Sequence, residues 1–293
     1  MSWLRTILAL GRLSRLPAIW SNCLAGWWLG GGGNAERLPF LFGGATLLHF
    51  GASYLNDAFD AEHDSQHRRE RPIPAGAIAQ DTVWRWGLCW LVGGTLLLLW
   101  PDRVTGGFGL TLVFLIILYN TVHRLVPFAP VLNGLCRFFL YVLGASAGEH
   151  GITGAALWCG LALAIYVTGL GVYARWEETP RQARAWPAAL LVVPILLALL
   201  MNADRYREPA LLLSALLALW ELRALRQTFW SLERNVRRTV SDLAAGIVFV
   251  DWLATSPVAS VLEAGNHAPR GLSFAFIGLL LATLLLQKLL PER

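Results

Sequence analysis

Long apolar runs dominate the sequence and set the first constraint on its fold. Runs of roughly 18 residues or more recur along the chain, and each can cross a hydrocarbon core of about 30 Å as a helix. Hydrophobic residues make up 56% of the 293 residues and charged residues only 15%, whereas a soluble chain is about one quarter charged. These features predict an all-α, polytopic transmembrane helical bundle, with residues 1–293 forming a single integral membrane domain.

Ten apolar segments are candidates for the membrane spans, after a basic amphipathic segment at residues 1–14 that is predicted to lie along the membrane surface. The segments cover approximately 17–32, 38–59, 82–100, 106–122, 130–148, 153–174, 184–201, 208–225, 239–256 and 271–290. The segment 239–256 is the weakest candidate because it contains Asp242 and Asp251. We therefore expect nine or ten helices, with a polar loop at roughly 60–80 after the second.

Acidic side chains recur at helical spacing where the second apolar segment ends. Asn56, Asp60 and Asp64 are spaced i, i+4 and i+8, so on a helix they point within roughly 80° of one another. Asp57 lies at the edge of that arc, and Glu62 lies away from it. Oxygen donors on one helix face suit Mg²⁺, which typically keeps coordination positions for substrate phosphates.

Arginines follow the acidic residues, and Arg68 and Arg71 suit phosphate because a guanidinium group matches its geometry and stays charged. The plainer interpretation is a solvated loop beside the membrane that is first acidic and then basic. The helical register of the carboxylates, directly after an apolar run of bilayer length, favours a site for metal and phosphate.

The order Asn-Asp-x-x-Asp-x-x-x-Asp at 56–64, followed by Arg-Pro-Ile-Pro at 71–74, resembles the first aspartate-rich motif of the UbiA-type intramembrane prenyltransferase family. The order of apolar segments on both sides resembles that family too. The resemblance implies Mg²⁺-dependent transfer of an isoprenoid chain from a prenyl diphosphate to a lipophilic or aromatic acceptor within the membrane. It implies that Asn56, Asp57, Asp60 and Asp64 bind the metal, and that Asp60 and Asp64 are catalytic.

The chain departs from the family pattern where a second aspartate-rich motif is expected. It has Tyr173, Arg175, Glu177 and Glu178 there, so only Glu177 is a carboxylate if Tyr173 and Glu177 take the i and i+4 positions. In one account Glu177 or Glu178 still binds metal, and Arg175 acts as a catalytic cation on the phosphate beside a substrate-binding Tyr173. In the other, the site no longer catalyses the usual reaction. For Glu178 alone, an ordinary ion pair at the helix end explains the residue equally well.

Further residues near the mouth of the site are candidates for substrate binding. The resemblance assigns Arg15 to the donor diphosphate and Asn22 to the pocket. It puts His123 and Arg124 where family members often carry a lysine near the diphosphate. For Arg15, anchoring of the first span by positive charge is an equally good explanation.

Arg137 is an ionisable residue within an apolar run, which makes it a candidate for substrate binding by default. The alternative is a structural role as the partner of Asp251 or Glu149.

The basic residues are distributed as membrane topology requires. The net charge of +5 comes from short clusters between apolar segments, which excludes a nucleic-acid partner. Positive charge concentrates at the N-terminus and in alternate loops, so those parts are predicted to be cytoplasmic. The aspartate stripe is then expected to open on the cytoplasmic side of an inner membrane, where Mg²⁺ and prenyl diphosphates are found. The protein as a whole is expected to contact membrane lipids.

Two alternatives to a Mg²⁺-dependent prenyltransferase stay open. One is a transporter or binding protein for an isoprenoid, in which Arg137 and Asp251 mark a path; the absence of paired, Gly/Pro-interrupted spans in matching halves weighs against it. The other is a UbiA-like, non-catalytic accessory protein, which the divergent second motif supports.

Overall fold

The computed structural model describes residues 3–33, 35–177, 182–201, 207–258 and 270–290, and these are helical with short connections and no strand. The helices are α1 (Trp3–Leu10), α2 (Leu16–Leu29), α3 (Leu38–His67), α4 (Gln80–Leu99), α5 (Arg103–Val122), α6 (Ala129–Ser146), α7 (Gly154–Arg175), α8 (Ala188–Leu191), α9 (Val193–Met201), α10 (Arg207–Phe229), α11 (Val236–Val258) and α12 (Arg270–Leu289). Short 3₁₀ turns at Leu13–Arg15 and Ala35–Arg37 precede α2 and α3. The predicted all-α bundle is confirmed.

Seven helices in the described ranges are long and apolar enough to cross a membrane: α3 with its preceding turn, α4, α5, α6, α7, α11 and α12. Helix α2 has 14 residues, α8 and α9 together form a shorter apolar stretch, and α10 carries several charged residues along its 23. Each of the ten predicted segments corresponds to one helix or, for 184–201, to the pair α8 and α9. The protein is therefore an integral, multi-pass membrane protein.

Helix α3 is longer than predicted. It ends at His67, whereas the sequence placed its end near residue 59. Neither Gly nor Pro occurs between Asn56 and His67, so no residue in the motif interrupts the backbone hydrogen bonds. The last bond joins Arg68 N to the Asp64 carbonyl at 2.8 Å. The metal-binding candidates on α3 therefore have a rigid helical backbone.

The α8–α9 segment is broken where one helix was predicted, since Val192 separates the two pieces. Pro194 is the second residue of α9 and donates no backbone hydrogen bond, which is tolerated only in the first turn of a helix.

Helices α2 and α6 cross with their backbones in contact. A Cβ atom at Gly26 would lie 2.3 Å from the Tyr141 carbonyl oxygen, and one at Gly144 would lie 2.4 Å from the Cys23 carbonyl oxygen. Small residues allow such close approach between membrane helices. Both helices contribute to the two larger apolar cores, one shared with α3, α4 and α5 and the other with α7, α10 and α11. The α2–α6 pair thus forms the centre of the bundle.

Candidate active site at the end of helix α3

The predicted stripe of oxygen donors lies on one face of α3, turned toward the protein. Asp57, Asp60 and Asp64 are only 6%, 5% and 1% exposed, while Glu62 on the opposite face is exposed. Burying a charged carboxylate is costly unless cations or hydrogen-bond donors compensate it. Each of these aspartates contacts cationic side chains from other segments.

Asp57 is bound by two arginines. Arg12 Nη2 lies 2.6 Å from Asp57 Oδ1, and Arg71 Nη1 lies 3.0 Å from the same oxygen. Arg12 Nη2 also donates to the Asn56 side-chain oxygen. Arg12 stands between α1 and the 3₁₀ turn before α2, so the N-terminal segment closes one side of the site.

Sequence reasoning did not assign Arg12 to the site. Its charge was interpreted only as a marker of membrane orientation. Its one distinctive structural property is a left-handed backbone (φ 43°, ψ 51°), and no local sequence pattern at 12 predicts this for a residue other than glycine.

Asp60 is held by the segment between α5 and α6. Arg124 Nε lies 2.5 Å and His123 Nε2 lies 3.1 Å from Asp60 Oδ1. His123 also stacks on Tyr119, with ring centroids 5.3 Å apart. The structure therefore brings two of the predicted substrate-binding residues, His123 and Arg124, directly to the motif.

Asp64 is the most buried of the three aspartates on this face of α3, and only one of its oxygens is well compensated. Arg71 Nη1 lies 3.2 Å from Asp64 Oδ2. Asp64 Oδ1 accepts no hydrogen bond from the described residues, and its ion pairs with His63 Nδ1 and Arg124 Nη2 span 3.9 Å and 4.0 Å. A buried carboxylate oxygen without a hydrogen bond calls for a further positive group.

Arg71 bridges Asp57 and Asp64 and lies in the connection after α3. Burial lowers the pKa of Arg71, and the neighbouring Arg12 guanidinium lowers it further, while Asp57 and Asp64 raise it. A guanidinium group stays protonated despite such shifts, so Arg71 is a permanent cation at the site.

Asn120 on α5 is a further site residue that sequence reasoning missed. Its side-chain oxygen accepts a 3.1 Å hydrogen bond from Asn56 Nδ2, and its own amide donates to the Ile116 carbonyl at 3.0 Å. The available signal was an amide near the end of an apolar span, where an unpaired polar group would be costly. Asn120 orients the Asn56 side chain so that its oxygen faces Arg12.

The side chains at the site are of the types that bind a magnesium ion, but their arrangement in this structure does not form a metal site. Within the part of the chain that the structure describes, no group of three His, Cys, Asp or Glu side chains is arranged to hold one metal ion. The reason is that Asp57 turns to Arg12 and Arg71, while Asp60 turns to Arg124. The chemistry still fits, because hard oxygen donors share one helix face and Asp64 Oδ1 lacks a hydrogen bond.

Arg175, at the end of α7, contacts backbone instead of the aspartates. Its guanidinium donates to the carbonyls of His123 at 2.8 Å and Pro127 at 3.0 Å, and also to that of Val126. These carbonyls belong to the same α5–α6 segment that brings His123 and Arg124 to Asp60. Arg175 thus fastens one wall of the site, and its catalytic role stays a prediction.

Tyr173 and Glu177 of the divergent second motif contact residues other than those of the stripe. Tyr173 is fully buried and packs edge-on against Trp176 and Phe229, with centroids 5.8 and 6.2 Å away. Glu177 Oε1 accepts a 2.6 Å hydrogen bond from Arg237 Nε. Glu178 lies outside the described residues. Metal binding by Glu177 and Glu178 and substrate binding by Tyr173 stay predictions.

Asn22 and Arg137 meet each other deeper in the bundle. Arg137 Nη1 donates to Asn22 Oδ1 at 2.7 Å, and Asn22 Nδ2 donates to Asp251 Oδ2 at 2.7 Å. Tyr141 donates to Asp251 Oδ1 at 2.6 Å, and Ser21 donates to Oδ2. This polar network joins α2, α6 and α11, and its hydrogen bonds do not include the α3 stripe. The alternative of a structural link between Arg137 and Asp251 thus has a physical basis, with Asn22 as the bridge.

Arg15 and Arg68 lie at the same end of the bundle as the stripe. Arg15 is exposed at the end of the 3₁₀ turn before α2. Arg68 directly follows α3 and lines a polar cavity that Glu177 and Arg237 also line. Their binding of the donor diphosphate stays a prediction.

Comparison with known proteins identifies the family of this chain. The model of the UbiA prenyltransferase family matches residues 16–240, which includes the α3 stripe and the divergent second motif. The chain is 29% identical over 109 residues to a digeranylgeranylglyceryl phosphate synthase of Methanoregula boonei. That match covers 36% of this chain and 39% of the relative, so it spans about two fifths of the relative's length.

The fold is similar to a solved structure of a digeranylgeranylglyceryl phosphate synthase, with a TM-score of 0.62 and 15% identity over 88% of this chain and 99% of that one. The resemblance inferred from the motif at 56–64 is confirmed by the family match, which covers most of the sequence. This chain belongs to the UbiA prenyltransferase family.

Proposed function

We propose that this protein transfers an isoprenoid chain from a prenyl diphosphate to a lipophilic or aromatic acceptor within the membrane, in a Mg²⁺-dependent reaction. The observation that carries the proposal is the stripe of half-buried Asn56 and buried Asp60 and Asp64. Arginines from other segments surround it, and one carboxylate oxygen lacks a hydrogen bond. A site with both carboxylates and permanent cations suits a metal-bound diphosphate.

Asn56, Asp60 and Asp64 would hold Mg²⁺, with Asp57 at the edge of the set. The bound ion supplies positive charge that makes the diphosphate a better leaving group. Each aspartate keeps its carboxylate on a rigid helix, so the diphosphate is oriented without a large rearrangement of the backbone.

With Mg²⁺ held by the stripe, the arginines that neutralise these carboxylates would be available to contact phosphate oxygens. Arg71 and Arg124 reach the stripe from two different connections, so they can contact a diphosphate from two sides. As the bond between the allylic carbon and the diphosphate oxygen breaks, its electron pair leaves with the diphosphate, and these cations stabilise the charge that develops there. The acceptor then attacks the allylic carbon, and the proton that it loses passes to the departing diphosphate.

Arg175 takes part in this proposal as a positioning residue. Its contacts with the carbonyls of His123 and Pro127 hold the segment that carries Arg124. In this role Arg175 does not contact phosphate itself. The divergent motif then contributes to the site without binding a second metal.

The acceptor and the membrane side are part of the proposal. The name of the Methanoregula boonei relative refers to a glyceryl phosphate lipid, which favours an amphipathic acceptor over a fully apolar one. The arginine-rich ends of α3 and α7 favour the cytoplasmic side of an inner membrane.

A non-catalytic, UbiA-like accessory protein is the second candidate. It is favoured by Glu177, whose carboxylate is already paired with Arg237, so the second motif offers little for a second metal. Such a protein would bind a prenyl diphosphate and release no pyrophosphate.

Asp60→Asn tests the proposal directly. The purified full chain is given geranylgeranyl or farnesyl diphosphate, a panel of lipid and aromatic acceptors, and Mg²⁺, while pyrophosphate release is followed. We expect release to fall at least about 100-fold, since removing one electrostatic stabiliser from an active site costs about 10²–10³ in rate.

Glu62→Gln is the matched control, because it removes an exposed carboxylate from the same helix on the opposite face, and it should leave the rate unchanged. Thermal unfolding of both variants checks that the fold persists. Pyrophosphate release by Asp60→Asn at the wild-type rate would refute the metal role of the stripe. No release by the wild-type protein with any acceptor would favour the accessory function.

A further inference from the structure

A polar cavity of about 430 Å³ lies at the same end of the bundle as the stripe. Its walls come from the end of α3 and the residues after it, from Glu177 after α7, and from the turn that joins α10 to α11. Arg68 lines it on one side, and Arg234 and Arg237 line it on the other. None of the four oxygen-donor residues at 56–64 lines this cavity. The cavity therefore lies beside the stripe and is lined by a different set of residues.

The cavity has an excess of positive charge. Three arginines line it against two carboxylates, those of Glu70 and Glu177. The Glu177 carboxylate pairs with Arg237 Nε at 2.6 Å, yet the Arg237 side chain stays 55% exposed. A guanidinium group that binds a carboxylate through Nε still has outward N–H groups, and their fork matches a phosphate.

The wall formed by α11 adds to this preference for anions. Val236, the first residue of α11, lines the cavity between Asn235 and Arg237. The Asn235 side chain accepts a 2.9 Å hydrogen bond from Arg238 N, which fixes the first turn of the helix. The partial positive charge at the start of a helix acts in the same direction as the arginines.

The cavity is close enough to the stripe for one reaction to use both. His67 lines the cavity and follows Asp64 by three residues on α3, which is about 4.5 Å along the helix axis. A second phosphate-bearing molecule in the cavity would therefore have its head group next to the donor diphosphate, while its apolar part extends into the membrane.

We propose that this cavity binds a phosphate group carried by the acceptor, so that the acceptor is an amphipathic lipid with a phosphate monoester or a similar dianionic head group. The inference rests on the proposed function, since it names the acceptor class for that reaction. The same chemistry would suit free pyrophosphate on its way out of the site, and the test separates the two.

The test compares two probes that differ only in the phosphate: lysophosphatidic acid and the monoacylglycerol with the same acyl chain. Binding to the full chain in detergent or nanodiscs is measured for wild type, Arg234→Gln, Arg237→Gln and the double variant. Arg238→Gln is the matched control, because it removes the same charge one residue further along α11 and outside the cavity wall.

We expect the double variant to bind lysophosphatidic acid at least tenfold more weakly than wild type. Its binding of monoacylglycerol and of Mg²⁺ with farnesyl diphosphate should not change. Arg238→Gln should bind lysophosphatidic acid like wild type. Thermal unfolding is followed in parallel, and if loss of the Arg237–Glu177 pair unfolds the protein, Arg234→Gln alone carries the comparison.

Three outcomes would overturn the proposal. Unchanged binding of lysophosphatidic acid in the double variant would show that the phosphate binds elsewhere. An equal loss of binding in Arg238→Gln would show that the effect comes from net charge and not from contacts in the cavity. Binding of pyrophosphate, but not of lysophosphatidic acid, through Arg234 and Arg237 would assign the cavity to the leaving group. These binding measurements need no turnover. Absence of pyrophosphate release would therefore contradict the proposed enzyme activity, while the phosphate site in the cavity is judged by binding alone.

Discussion

Arg12 combines an unfavourable backbone with favourable side-chain contacts. It is the one described residue other than glycine with a positive φ, and the left-handed conformation costs such residues about 1–2 kcal/mol. The conformation turns the chain between α1 and α2 so that the guanidinium reaches Asn56 and Asp57. Strain of this kind persists only where the surrounding contacts compensate it.

Replacing Arg12 separates these two contributions. Arg12→Ala and Arg12→Gly both lose the ion pair with Asp57, but only glycine adopts the left-handed backbone without strain. We therefore expect the glycine variant to be more stable than the alanine variant by about 1 kcal/mol, measured as the thermal unfolding midpoint in detergent. An alanine variant at least as stable as the glycine variant would mean that residue 12 does not hold this conformation.

At the scale of helices, the Asp251 network fastens α11 to the central α2–α6 pair. Asp251 is fully buried and accepts hydrogen bonds from Asn22 and Tyr141 on two different helices. Within a membrane such polar contacts have no water to replace them. The network explains why α11, the weakest candidate span by composition, is one of the most buried: 61% of its apolar window is inside the protein.

Asp251→Ala should destabilise the protein strongly. Removing one partner of a buried charged network typically costs about 3–5 kcal/mol. Here Asn22 and Tyr141 lose their acceptor, and Arg137 keeps its contact with Asn22 but loses the carboxylate beyond it. Asp251→Asn keeps an acceptor for Tyr141 and should cost less. Asp81→Ala, at an exposed position in the first turn of α4, is the control and should unfold like wild type.

The same experiment addresses the role of Arg137. If Arg137 is structural, Asp251→Ala lowers the unfolding midpoint and leaves the affinity for Mg²⁺ and prenyl diphosphate unchanged in the folded fraction. A loss of that affinity with an unchanged midpoint would instead support the predicted substrate contact by Arg137.

At the scale of the whole molecule, cations from several segments converge on α3 and neutralise its carboxylates internally. The connection after α3 supplies Arg71, the α5–α6 segment supplies Arg124, and the N-terminal segment supplies Arg12. Each buried carboxylate of the stripe therefore has at least one cation beside it without a metal, although one Asp64 oxygen lacks a hydrogen bond, and the protein should stay folded in the presence of a chelator. Ligand binding then replaces one set of ionic contacts by another.

Thermal stabilisation distinguishes the candidate functions. With Mg²⁺ and geranylgeranyl diphosphate at 100-fold excess over Kd, the folded protein gains about 2.7 kcal/mol, which we expect to see as an unfolding midpoint several degrees higher. Addition of a chelator should abolish most of this shift. A shift that is equally large without Mg²⁺ would contradict the enzyme and favour an isoprenoid transporter or binding protein. A Mg²⁺-dependent shift without pyrophosphate release would favour the accessory protein.

The sequence by itself determined the membrane class, the positions of the helices and the shared face of Asn56, Asp60 and Asp64. These depend on local periodicity and on apolar length, which neighbouring residues define. Only the tertiary structure decided which cation meets which carboxylate. Arg124 and Asp60 are 64 residues apart, and their pairing depends on how α3 and α5 pack.

The same reason explains contacts that the sequence could not show. The close crossing of α2 and α6 brings Asn22 to Arg137, and Asn22 also donates to Asp251. Substrate binding by Asn22 and Arg137 stays a prediction. The end of α7 likewise directs Arg175 to backbone carbonyls after α5, a contact that no local pattern indicates, and its catalytic role stays a prediction. Local sequence specifies a helix and its faces, and long-range packing specifies what each face touches.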